Sequence, residues 1–133
     1  MLNQLMSENA PHIQIWNKTE KILLFPGARK ALRLADRLRG LLGSRELLEE
    51  EGLFFPKCNS IHTFFMSFPI DAVFLKKGGI VRIIESLKPG RILFCSEADS
   101  VLEIRAGESR RKNLKHGDIL VSKRAGGEEE ILV

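Results

Sequence analysis

A mainly β fold is predicted, an antiparallel sandwich or partly open barrel with one amphipathic helix packed on it. Two observations carry this. Short apolar or alternating runs recur between turn signals such as Lys77-Gly78-Gly79, Pro89-Gly90 and His116-Gly117-Asp118. In contrast, one stretch, residues 28–42, has a helical period. A chain of 133 residues, 44% hydrophobic and 29% charged, has the size and composition of one ordinary domain with its own core. Residues 1–133 are therefore read as a single domain, with 1–10 polar and expected to be flexible.

His12 to Trp16 alternates and Lys21 to Phe25 is apolar, so they read as two strands around an Asn17-Lys18 turn, the second stopped by Pro26-Gly27. From Ala28, the residues Ala31, Leu32, Ala35, Leu38 and Leu42 form an apolar stripe. Arg29, Lys30, Arg33, Arg37 and Arg39 lie mostly off it, which predicts an amphipathic helix ended by Gly40 or Gly43. Ser44 with Leu47 opens a shorter helical turn closed by Glu49-Glu50-Glu51-Gly52. Strands are then expected at 53–55, 61–66, 71–76, 80–86, 91–95, 101–105, 119–122 and 129–133, with a short polar helix at 108–115. The runs 61–66 and 71–76 are expected to pair across the Phe68-Pro69 corner.

Charge is unevenly placed. Residues 1–45 hold eight Lys/Arg against three Asp/Glu, so the formal net charge of +4 is concentrated on the predicted helix. Such a face is most simply a solvated helix surface. Nucleic-acid binding through helix 28–42 is a third-ranked reading, because no motif of a known nucleic-acid module accompanies it. No apolar run reaches the length of a membrane span. The N-terminus lacks a basic leader and an apolar h-region, which predicts a cytoplasmic protein with free thiols.

The reactive side chains concentrate in residues 58–75, CNSIHTFFMSFPIDAVFL. Cys58 and His62 are four positions apart, roughly 13 Å if extended, so they meet only if Asn59-Ser60 turns. The simpler reading makes Cys58 a half-buried thiol and His62 a hydrogen-bonded wall residue. The sharper one makes Cys58 a nucleophile, His62 its base and Asp71 the orienting group, the catalytic candidates of an enzyme reading that ranks second. Asp71 otherwise caps its corner by accepting backbone N–H bonds. Glu103 alternates with Val101 and Arg105 on one side of its strand. It reads either as half of a solvated Glu103/Arg105 pair or as a pocket carboxyl near His62, needing a partner if buried. No metal is predicted, because Asp71, Cys95 and His116 supply no second ligand pair of recognisable spacing, and no cofactor is predicted either. A Cys58–Cys95 disulfide is the alternative in an oxidising compartment. The phenylalanines Phe54, Phe55, Phe64, Phe65, Phe68 and Phe74 read as core, and Asp118 as a turn residue.

In order and spacing, RLRGLLGSREL (37–47), GLFF (52–55), the 58–75 block, GGIV (78–81), VLEIRAG (101–107) and GDIL (117–120) resemble the bacterial and archaeal family called domain of unknown function 192. The resemblance spans about residues 12–122. It implies a compact, mainly β domain with an early helix and implies no assigned activity. Some relatives look exported, and this chain departs from them by having no leader. Many have Trp-Met-Lys-Asn-Thr where this chain has Phe65-Met66-Ser67-Phe68, and the IHTFFM…FPID form looks like a subgroup. The leading functional expectation is a non-catalytic or weakly catalytic domain that binds a small ligand, anionic in one version, or a protein partner. Its cleft would be lined by His62, Phe64, Met66, Asp71 and Glu103, with Arg37 or Arg39 available to meet an anion.

Overall fold

A computed structural model describes residues 12–31, 46–64, 66–124 and 126–132. Among the described residues, ten strands form two sheets. The larger runs β10 (Glu129–Ile131), β9 (Leu120–Lys123), β1 (His12–Asn17), β2 (Ile22–Lys30), β3 (Glu51–Pro56), β8 (Ser100–Arg105), β5 (Ile70–Lys76) and β6 (Gly79–Leu87) in spatial order. The smaller is a ribbon of β4 (Ser60–His62) and β7 (Ile92–Phe94). The larger sheet is strongly curled into a half-barrel, so the expectation of a mainly β fold with a partly open barrel holds.

Curling brings the two ends of the sheet together at one corner. Ile80 N–H donates to Asp118 O at 2.9 Å, Gly117 N–H to Ile80 O at 2.8 Å, and Leu120 N–H to Gly78 O at 2.7 Å. Gly78 is required there. Its φ is +82° and a Cβ would lie 2.7 Å from Leu120 O, closer than side-chain carbons approach a carbonyl.

Two apolar clusters lie on opposite sides of the curled sheet, as alternation in strands demands. The interior cluster includes Ile15, Phe25, Phe54, Val73, Leu75, Leu102, Ile104, Leu120 and Leu132. The outer cluster takes the alternate residues of the central strands, Leu53, Phe55, Ile70, Ala72, Phe74 and Val101. It is covered by Ile61, Met66, Phe68 and Cys95 from the ribbon and its flanks. β5 is buried along its first six residues because both of its faces are covered. Every ladder hydrogen bond of the ribbon is internal to it, so side-chain packing is what seats it on the sheet.

Four expectations are corrected. Pro26-Gly27 does not end the second strand, which continues to Lys30. Pro26 is exposed and sits where the β1–β2 register shifts, so its missing N–H costs no ladder bond, and Gly27 N–H donates to Glu50 O at 3.0 Å. β2 there runs parallel to β3, making Ala28, Arg29 and Lys30 strand residues rather than the start of a helix. The rest of the expected helix, with Arg33, Arg37 and Arg39, lies outside the described residues, as does Phe65. The 61–66 and 71–76 runs do not form a hairpin: β4 pairs with β7, whereas β5 pairs with β6 and β8. Finally, Glu49-Glu50 is a turn leading directly into β3, and Glu46 to Leu48 has no regular structure.

The short helix α1 (Glu108–Arg111) follows β8 and continues as a turn in which Leu114 N–H donates to Ser109 O at 2.9 Å. Leu114 joins the interior cluster, so this segment packs on the barrel interior beside β5 and β8.

Candidate functional site

Register decides which of the expected site residues can meet. In the ladder between β5 and β8, Asp71 is opposite Ile104 and Ala72 is opposite Glu103. Directly opposed residues share a face, so Asp71 points inward with Ile104 and Glu103 points outward with Ala72. Asp71 and Glu103 therefore stand on opposite sides of one sheet.

Asp71 is fully buried, and both of its carboxyl oxygens accept hydrogen bonds. Oδ1 accepts from Ser86 N–H at 2.8 Å. Oδ2 accepts from Gly107 N–H at 3.1 Å, from Ser109 N–H at 3.0 Å, and from the Ser109 hydroxyl. The carboxyl thus ties a left-handed residue of β6, Ser86 at φ +50°, to the start of α1. It caps backbone as one reading of the sequence had it, but the donors belong to distant segments and not to the Phe68-Pro69 corner. His62 is not among its partners.

Glu103 is 5% exposed, and burial pushes its carboxyl up to about 8. No cation or hydrogen-bond donor among the described residues pairs with it. The row across the outer face reads Arg29, Leu53, Glu103, Ala72 from β2 to β5. Two residues along β8 on the same face, Arg105 meets Glu46 at 3.7 Å. Burial lowers the Arg29 guanidinium, with the charge of Glu51 opposing that shift. The expected solvated Glu103/Arg105 pair is therefore not formed, and Glu103 is surrounded by Leu53, Ala72 and the outer cluster.

His62 faces away from both carboxyls. Ile61 opposes Leu93, and both pack inward on the outer cluster; Ser60 opposes Phe94 and His62 opposes Ile92, so these four turn outward. Beyond the end of β4, Phe64 stacks on His62 with ring centroids 5.5 Å apart. Ile92 is 67% exposed, Phe94 61% and Phe64 40%, so the outer face of the ribbon is an uncovered apolar patch with an imidazole in it. Phe64 is a correction to the core expectation, while Phe54, Phe55, Phe68 and Phe74 are buried. Met66 is buried in the outer cluster, beneath the layer whose other side carries His62.

Thr63 fixes this arrangement. It is fully buried; its N–H donates to Arg91 O at 2.8 Å, its hydroxyl donates to Lys88 O at 2.7 Å, and Arg91 N–H donates to that hydroxyl at 2.9 Å. Cys58 donates to Ser60 O at 2.9 Å and is half-buried, and Cys95 is buried; both are free thiols. The expected cleft is thus divided among three places: Asp71 inside the barrel, Glu103 and Met66 between sheet and cover, His62 and Phe64 outside. Arg37 and Arg39 lie outside the described residues. Among the described residues no group of three His, Cys, Asp or Glu could hold a metal.

Ile92 and Phe94 are the residues that reading the sequence missed. Their signal was present in RILFC, where apolar side chains occupy both phases of a strand. In a strand with a cover on one side only, one phase is left in water.

A concavity of about 280 Å³ lies between β6 and the α1 segment, lined by Ile83, Glu85, Ser109, Arg110, Asn113, Leu114 and Lys115. It is open, and its main charged pair is closed upon itself, Arg110 meeting Glu85 through two hydrogen bonds.

A half-barrel whose outer face carries a covering ribbon defines the class of the protein: a small β domain with two apolar clusters and an exposed ribbon face. The profile of domain of unknown function 192, described as an uncharacterized ACR, matches residues 18–122, and the chain belongs to that family. No curated protein matches the chain. Two solved structures share its fold. One is of a protein of unknown function from Novosphingobium aromaticivorans DSM 12444, with a TM-score of 0.70, 22% identity and 84% of each chain covered. The other is of a "putative transcription regulator" from Sinorhizobium meliloti 1021, with a TM-score of 0.71, 22% identity, and 84% of this chain and 92% of that one covered. No helix among the described residues is long and apolar enough to cross a membrane.

Proposed function

We propose that this chain is a partner-binding domain that docks an acidic protein segment on the outer face of its β4–β7 ribbon. The observation that carries the reading is the apolar patch of Phe64, Ile92 and Phe94 around His62, uncovered in a chain that buries its other described phenylalanines. Charge selects the partner. Residues 57–63 and 88–97, which build the ribbon and its flanks, hold the exposed cations Lys57, Lys88 and Arg91 against one acid, Glu97. A segment combining Asp or Glu with one or two large apolar anchors complements this face, and like charges discourage a second copy of the chain. The expected small ligand gives way to the protein partner because His62, Asp71 and Glu103 share no cleft. We place this activity in the cytoplasm, in keeping with the two unpaired thiols.

The test is selection of displayed random peptides on the intact chain, with counter-selection on Phe94→Ser. Enriched peptides should combine acids with an aromatic or aliphatic anchor, lose at least about tenfold in affinity for Phe94→Ser, and weaken with added salt. Lack of enrichment, or peptides indifferent to Phe94, would overturn the reading. Phe94-dependent binding to vesicles rich in anionic lipid, without peptide binding, would replace the protein partner by a membrane surface.

A further inference from the structure

We infer that Glu103 is a proton-binding site, and that its bound proton holds the β4–β7 ribbon and its flanking loop closed over the outer face of the sheet. The inference does not depend on which partner the ribbon's other face takes.

Buried carboxyls in folded proteins are paired, because an unpaired ion in an apolar layer costs more than an ordinary fold can supply. Glu103 has no such partner among the described residues. The groups around it explain why it cannot keep a negative charge. On its own face Leu53 stands opposite on β3 and Ala72 opposite on β5. Arg29 lies in the same row on β2 but beyond Leu53, two strand spacings from Glu103 and about 9–10 Å away at the backbone. Glu51, the next outward residue of β3, offsets the Arg29 charge, and Arg105 meets Glu46. The cover brings the thiols of Cys58 and Cys95 to the outer cluster; His12 stands in the same row one strand beyond Arg29, and His62 is turned to the other side of the ribbon. Among the described residues no side-chain cation pairs with this carboxyl in the closed layer, and a proton can.

Of the described elements packed on the outer face that carries Glu103, the ribbon is the one best suited to respond. The ribbon strands are three residues each, and they make ladder bonds only with each other. Opening the cover lets water reach Glu103, whose carboxyl then returns to the ordinary range near 4.5. The sign follows directly. Between roughly pH 5 and 8 the closed layer holds a proton that the opened layer releases, so opening becomes easier as pH rises. Below that range both states are protonated, and above about 8 neither is, so the dependence flattens at both ends.

The experiment is hydrogen exchange on the intact chain from pH 5 to 9.5, corrected for the intrinsic rate, in the wild type, Glu103→Gln and Glu103→Leu. The reporters are the bonded amides of Thr63 and Cys95 in the cover, and Leu120 at the barrel seam. In the wild type, protection of Thr63 and Cys95 should lie at least about tenfold below that of Leu120 and fall by about tenfold per pH unit up to about pH 8 before levelling off. In both variants the cover amides should show no slope. Protection of Thr63 and Cys95 equal to that of Leu120 at every pH would mean that only global unfolding exposes Glu103, and it would overturn the inference. So would a slope that survives in Glu103→Gln. Should neither variant fold, carbon-detected titration of the Glu103 carboxyl in the wild type decides: a midpoint below pH 6 removes the proton from the closed state.

Discussion

Asp71 and Glu103 are diagonal neighbours on adjacent central strands, and the sheet between them separates two ways of burying an acid. Asp71 faces the barrel interior, where a left-handed residue of β6 and the first turn of α1 present three backbone N–H groups and a hydroxyl to it. Glu103 faces the outer layer, where its immediate neighbours are apolar and the arginines of the same face have acids of their own. The first carboxyl organises the chain around it. The second adds a cost that a proton relieves. Same chemistry, opposite roles: the difference lies in what the facing segments bring.

The largest effect expected from breaking this contrast is at Asp71. Asp71→Ala leaves the N–H groups of Ser86, Gly107 and Ser109 without their acceptor, buried at Ser109 and part-buried at the other two, which should cost about 2–4 kcal/mol of stability in urea unfolding. It should also loosen α1 and its neighbour Leu114. Because the cost arises from orphaned donors, Asp71→Asn should recover part of it through the remaining amide oxygen. If Asp71→Ala unfolds at the wild-type urea midpoint, the carboxyl does not have the structural role described.

Glu103 should behave in the opposite direction. Glu103→Leu replaces a costly polar group by one suited to Leu53 and Ala72, and should raise stability at pH 8 by about 1–4 kcal/mol. The folded-state value near 8 lies above the ordinary one, so the wild type loses stability as pH rises from about 5 to about 8. The ceiling on that loss is about 4–5 kcal/mol. Thermal unfolding of wild type and variant across this range should therefore diverge steadily and run parallel above pH 8. A constant difference between them would mean that Glu103 is already charged in the folded protein.

How much of this contrast was legible beforehand depends on which step is asked about. Alternation in VLEIRAG placed Leu102 and Ile104 on one face and Glu103 with Arg105 on the other, as the structure has it. Most strand positions after residue 50 followed from turn chemistry and period, although the run expected at 61–66 is strand only to His62. What alternation within a strand lacks is the partner of each strand. The faces of Asp71 and Glu103 become comparable only once β5 is known to lie beside β8, a pairing across about 30 residues that no local pattern encodes. Proximity in sequence suggested instead that 61–66 pairs with 71–76, which brought His62 and Asp71 together on paper. Pro26 misled for a related reason: a proline ends a strand only when its N–H is needed, and at a register shift it is not.

The smallest effects expected are within the ribbon, where the same question can be put to two consecutive residues. Leu93 points inward and packs on the outer cluster; Phe94 points outward and is 61% exposed. Leu93→Ala should cost about 1–3 kcal/mol, less than a fully enclosed leucine because the site is half-buried. It should also speed hydrogen exchange in the ribbon before the barrel is affected. Phe94→Ser should change stability by no more than about 0.5 kcal/mol, since its ring is already largely in water. If Phe94 serves the partner, the two substitutions separate cleanly: Leu93→Ala weakens docking through the seating of the ribbon and in step with its exchange rates, whereas Phe94→Ser abolishes docking with exchange unchanged. A Phe94→Ser protein that is destabilised as much as Leu93→Ala would place that ring in the core, and the ribbon's outer face would then be packing surface rather than a place for a partner.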